Sequence, residues 1–118
     1  MNLLERYRLR LRRKRLRLRA FRKRRDLSPV ADRTGGIGPS AILLLATIRN
    51  ERVRLPYFLA YYRALGIGHF LIVDNGSDDG SGEYLASQPD VSLWHTAKSY
   101  QAARFGTDWM NWLLMRYG

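Results

Sequence analysis

A chain of 118 residues that is 46% hydrophobic suits one domain with a buried core. Its net charge of +11 is lopsided: residues 1–25 hold 13 Lys/Arg against one acid, Glu5, while residues 26–118 hold 8 basic residues against 9 acids. The basicity therefore belongs to an N-terminal arm and does not mark the body as a nucleic-acid-binding domain. The absence of cysteine excludes a disulfide framework and thiolate chemistry, and fits a reducing, cytoplasmic setting.

In chain order, residues 1–25 form the basic arm. On a helix, Leu4, Tyr7, Leu11, Leu18 and Phe21 would share one broad face, with Leu9 and Leu16 opposite. The arm lacks the apolar core of a signal peptide, and it has no serine as a mitochondrial transit peptide would. Residues 26–40 (DLSPVADRTGGIGPS) read as a linker. AILLLATI (41–48) is continuously apolar, as in a central strand buried on both faces. Val53 to Leu65 has helical spacing with Pro56 in the first turn, and Gly66 is a stop. HFLIVD (69–74) is a second buried strand, a short helix follows near Gly82–Ser87, and VSLWH (91–95) is a third strand. Residues 97–117 read as one amphipathic helix, with Ala102, Phe105, Trp109, Trp112, Leu113 and Arg116 near one face. Left uncovered, its tryptophans would form an apolar patch.

Alternating strands and helices predict an α/β fold with a parallel sheet and right-handed crossovers. Ligands bind such sheets beyond the carboxyl ends of the strands. The loop after the first strand, Thr47-Ile48-Arg49-Asn50-Glu51, and the loop after the second, Asp74-Asn75-Gly76-Ser77-Asp78-Asp79, would share that edge. Arg49 suits a diphosphate, and Asn50 or Glu51 suits ribose hydroxyls or a base edge. The bland alternative is capping, with Asn50 as N-cap and Glu51 in a first helical turn. Asp74 ends an apolar strand, where an acid is unwelcome unless it binds something, although an Asx-type turn would also use it. The second loop does not match an EF-hand, because Gly76 stands at its third position and no Glu at its twelfth. Gly35-Gly36-Ile37-Gly38 precedes a strand and so is not a dinucleotide loop. His69 and His95 have no ligand partners at metal spacing and read as structural.

Together LLATIRNE (44–51) and LIVDNGSDDGS (71–81) resemble the two nucleotide-binding segments of family-2-type glycosyltransferases of the GT-A fold. SYQAARFGTDWMNWLLMRYG (99–118) is similar to the helix that follows in bacterial members. The resemblance implies a partial GT-A fold, Rossmann-like with three α/β/α layers, over residues 41–118. It implies a nucleotide-diphospho-sugar donor, inversion by direct displacement, and a pocket lined by Thr47, Arg49, Asn50, Glu51, Asp74, Asn75 and Arg104. Many relatives have Asp where Asn75 stands, which leaves the base less defined. The family's D-x-D acids, which bind Mg²⁺ or Mn²⁺ on the diphosphate, and its general base lie beyond the matched segments. No D-x-D occurs in the body, and Asp78-Asp79 sit in a turn before a helix. The expectation is a nucleotide subsite without catalytic residues, and negligible sugar transfer by this chain alone.

The arm admits three readings. A solvated tail is one; a nucleic-acid contact with steep salt dependence is another; an anionic membrane surface is the third. The resemblance favours the membrane, at the inner face of the plasma membrane, because such transferases often act on envelope polysaccharides or lipid carriers. A non-catalytic basic module with a purely structural α/β body is the alternative to a transferase.

Overall fold

The computed structural model describes residues 2–101, 103 and 106–118. The chain begins with helix α1 (Leu3–Lys23). Asn2 caps it, accepting from the Glu5 N–H at 2.8 Å while the Glu5 carboxylate accepts from the Asn2 N–H, a reciprocal capping box. A single 3₁₀ turn (Arg24–Asp26) leads into strand β1 (Ser28–Ala31). Then come β2 (Ile42–Ile48), α2 (Leu55–Ala64), β3 (Ile67–Asp74), α3 (Ser81–Ala86), β4 (Val91–His95) and α4 (Thr107–Tyr117).

Among the described residues the strands form one open sheet in the order β1-β4-β3-β2. β2, β3 and β4 run parallel, and β1 pairs antiparallel with β4. The fold is thus α/β with a mixed sheet, where the alternation of elements predicted an all-parallel one. β2, expected as a central strand buried on both faces, lies instead at the sheet edge, with its residues half-buried or exposed because it has only one neighbouring strand. The antiparallel edge comes from the segment expected as a linker. Its four residues contain Pro29, which gives no ladder N–H and is tolerated only because β1 lies at the sheet edge.

Each face of the sheet carries its own core, set by the period-two alternation of the strands. Phe70, Ile72, Val91 and Leu93 pack under Leu55 and Leu59 of α2 and Leu85 of α3. Leu71, Val73 and Trp94 pack against Trp109 and Leu113 of α4. α1 lies outside α4 and forms a further layer on that side. Ala20 is fully buried, Arg19 reaches the buried Asp108 at 3.2 Å, and Phe21 meets Trp112 edge-on at 6.1 Å. The Trp109 indole N–H donates to Asp26 just beyond α1. Trp109 is therefore buried and Trp112 half-buried, so the predicted apolar patch is covered by the arm itself.

Helix boundaries also differ from the sequence reading. α2 begins at Leu55, and Val53 is exposed in the preceding turn. Pro56 falls in the first turn, where its missing N–H costs nothing. Asn50 does not cap this helix; Arg54 stands at the N-cap without a side-chain bond. α4 is eleven residues rather than the whole of 97–117. It starts after Gly106, whose φ of 80° belongs to the left-handed region. Of the face predicted for it, Trp109 and Leu113 are buried and Arg116 is exposed, while Ala102 and Phe105 lie outside the described residues.

Candidate functional site

β2, β3 and β4 end side by side. Ile48 pairs with Asp74, and Asp74 with His95, so three loops leave one carboxyl edge. The ladder continues one step, because the Asn75 N–H donates to the Ile48 carbonyl at 2.9 Å.

Alternation then sorts the side chains between the two faces. Thr47 and its partner Val73 follow Leu43, Leu45 and Leu71 on the α4 side. Asp74 follows Phe70 and Ile72 on the side of α2 and α3, and is 5% exposed. Its carboxylate accepts from the Ser77 N–H at 3.0 Å. A Cβ added at Gly82 would stand 2.9 Å from its other oxygen, so the start of α3 passes directly over the acid. Asp74 and Asn75 are thus neighbours in sequence but open on opposite sides of the sheet edge. Asp74 lines a cavity of about 330 Å³ with Ser77, Gly82, Glu83 and His95.

Asn75 lines a cleft of about 510 Å³ together with Arg49, Gly76, Lys98, Tyr100 and Gln101. Its amide nitrogen donates to the carbonyls of Lys98 at 3.0 Å and Thr96 at 3.4 Å. Two acceptors fix the nitrogen on that side, which leaves Oδ1 to receive a donor. A smaller space of about 200 Å³ continues from the cleft past Thr47, Ile48, Arg49 and Tyr100. The Thr47 hydroxyl there is buried with no hydrogen-bond partner among the described residues. Gly106 closes over it: an added Cβ would come within 3.0 Å of Thr47 Oγ1 and 2.8 Å of the Tyr100 ring.

Asn50 and Glu51 bind the two loops to each other. Asn50 sits at φ 53°, its N–H donates to Ser77 Oγ, and its Oδ1 accepts from the Asp78 N–H, each at 2.9 Å. The Glu51 N–H donates to Ser81 Oγ, and the Arg52 N–H to Asp79 Oδ2. The Ser81 hydroxyl, with the Arg52 and Ser81 N–H groups, holds the Asp79 carboxyl below its ordinary range. The Glu51 carboxylate pairs at 3.7 Å with Arg54, in a cavity of about 350 Å³ on the α2 side. Ser81 and Asp78 thus join the lock between the two loops.

Of the seven residues singled out in the sequence, Thr47, Arg49 and Asn75 meet at one cleft. Asn50, Glu51 and Asp74 build or flank the loops beside it, and Arg104 lies outside the described residues. Asp74 and Asp79 already accept from their own loop, and no three of His, Asp and Glu gather among the described residues.

Sequence reasoning missed Lys98, Tyr100 and Gln101. The signal was present, since residues 96–101 follow a third parallel strand and must leave the same edge. Reading them as a helix hid it.

His69 of β3 is buried and shares a 2.8 Å hydrogen bond with Ser92 of β4. Burial, with the Arg33 charge adding, lowers its pKa below the ordinary 6.5 against an opposing pull from Asp90 and Asp32. Arg33 fastens the segment after β1 to the same place. Its N–H donates to Ser92 Oγ, and its guanidinium to the Val91 and Ala86 carbonyls, the latter at the end of α3.

No protein-family model, curated protein or solved structure matches this chain. What the fold defines is an open, mixed α/β sheet with a polar cleft at the carboxyl edge of its parallel strands.

Proposed function

We propose that the chain binds the nucleotide part of a nucleotide-diphospho-sugar, as the nucleotide-binding portion of a GT-A-type, family-2-like, inverting glycosyltransferase. The observation that supports this reading is convergence. Arg49, Asn75 and Lys98 follow three successive parallel strands and meet at one cleft of about 510 Å³. Open α/β sheets take ligands at that edge.

Arg49 and Lys98 supply cationic donors for a diphosphate, which guanidinium and ammonium groups recognise through charge-assisted bonds. Asn75 Oδ1 suits a base with a ring N–H, such as uracil or guanine, and adenine lacks that donor. The orphaned Thr47 hydroxyl is a further polar contact at the cleft wall. Asp74, Asn50 and Ser81 contribute indirectly by holding the loops in register.

Calorimetric titration with UDP, GDP and ADP tests the proposal. UDP or GDP is expected to bind more tightly than ADP. Arg49→Ala and Asn75→Ala are each expected to weaken binding by roughly 10- to 100-fold, the size of a lost charge-assisted or buried polar contact. Equal affinity for all three nucleotides, unchanged by both substitutions, would contradict it.

A further inference from the structure

We propose that the outward face of α1 is a docking face for anionic phospholipid bilayers. The helix has two unlike sides. Residues advance by about 100° each, so Leu4, Leu11 and Leu18 fall within about 40° of one another. Ala20, the buried contact to the body, lies about 180° from Leu11. Leu16, on Ala20's side, lines the groove between α1 and α4 with Asn111 and Leu114. The side opposite Ala20 therefore carries an apolar line, on which Leu11 is half-buried and which ends at Phe21, the residue that turns to Trp112. On it Leu4 is 56%, Tyr7 60% and Leu18 48% exposed.

Arg8, Arg15 and Arg22 follow the three leucines at i+4 and border the line on one side, with Arg10 and Lys14 along the other. An apolar stripe between cationic borders is the pattern of a helix lying in the headgroup layer, with arginine stems running along the acyl boundary and their heads at the phosphates. Each basic residue near an anionic surface adds about fivefold to partitioning.

Charge selects this occupant over the others. A second copy would bring two arms together, each with 13 Lys/Arg and one acid in residues 1–25. A polyanion such as RNA satisfies the arginines but leaves the leucine line in water. No helix among the described residues is long and apolar enough to cross a membrane.

Sedimentation of the full chain with vesicles tests the proposal. Binding is expected to phosphatidylcholine vesicles containing phosphatidylglycerol, and not to phosphatidylcholine alone. The triple variant Leu4→Asn, Tyr7→Asn, Leu18→Asn keeps every charge. It is expected to lose at least about tenfold in vesicle partitioning while binding RNA as the parent does. Partitioning equal to the parent's would overturn the proposal, and so would a parent that binds RNA but not the anionic vesicles. A second readout does not depend on those variants. The chain has no cysteine, so a polarity-sensitive dye can be carried at a single Leu11→Cys, with Tyr61→Cys on α2 as control. A blue shift with anionic vesicles at position 11 and none at 61 is expected; no shift at 11, or equal shifts at both, would count against it.

Discussion

Asn50 combines a left-handed backbone with two bonds that cross to the neighbouring loop. A Cβ-bearing residue without a polar side chain is penalised twice there, through backbone strain and through an unmet Asp78 N–H. Asn50→Ala is expected to cost about 1–3 kcal/mol in chemical unfolding, whereas Asn50→Gly, which relieves the backbone, should cost only about 1 kcal/mol. An equal loss from both would place the penalty elsewhere. The sequence admitted Asn50 as an N-cap, because Asn before a helical run has that propensity. Its bond partners lie 27 and 28 residues away, at a distance local propensity cannot report. His69 makes a second residue-scale prediction. Its folded pKa is lowered, so the unfolded chain binds the proton more readily. Stability should be intact above the unfolded value of about 6.5 and fall as the pH drops from there through the lowered folded value. Thermal melts across that range should lose this step in His69→Asn; a melting temperature that rises on acidification would contradict the sign.

At the scale of elements, α1 has two regimes. Its last turns are tied to α4 by Arg19–Asp108, Phe21–Trp112 and buried Ala20, while residues 3–10 are all exposed. Hydrogen exchange should accordingly protect amides near Ala20 more than those near Tyr7, and Asp108→Ala should speed exchange at the docked end by roughly tenfold. Uniform exchange along the helix would refute the docking. The amphipathic spacing of the arm was readable, since leucine periodicity survives any tertiary context. Which face docks was not, because that depends on Asp108 and Trp112, about ninety residues further on. β3 was legible for the opposite reason: an unbroken apolar run is buried between two layers. The equally apolar run of β2 read as a central strand but lies at the sheet edge, because strand order is not written in local hydrophobicity. β1 was not legible, because four residues with a proline carry no periodicity, and it pairs with a strand some sixty residues away.

For the whole molecule, the parallel crossovers decide what can meet. They gather the ends of β2, β3 and β4 at one edge, and the period-two alternation sends Thr47 and Asn75 to the α4 side while Asp74 goes to the other. The edge itself was legible from the order of elements. The split of Asp74 from Asn75 was not, because a motif read as a string ignores which face each residue takes. Lys98 and Tyr100 complete the cleft from a loop whose polar residues were assigned to a helix that begins only at Thr107. The same molecule carries a basic helix that would attract any phosphate, so bare affinity for a nucleotide is a weak test. Residue-resolved chemical-shift mapping of the isotope-labelled chain with UDP or GDP is the direct one. Nucleotide binding at the cleft predicts perturbations confined to residues 47–51, 74–76 and 96–101 that persist at high salt. Perturbations confined to α1 that vanish with salt would contradict it.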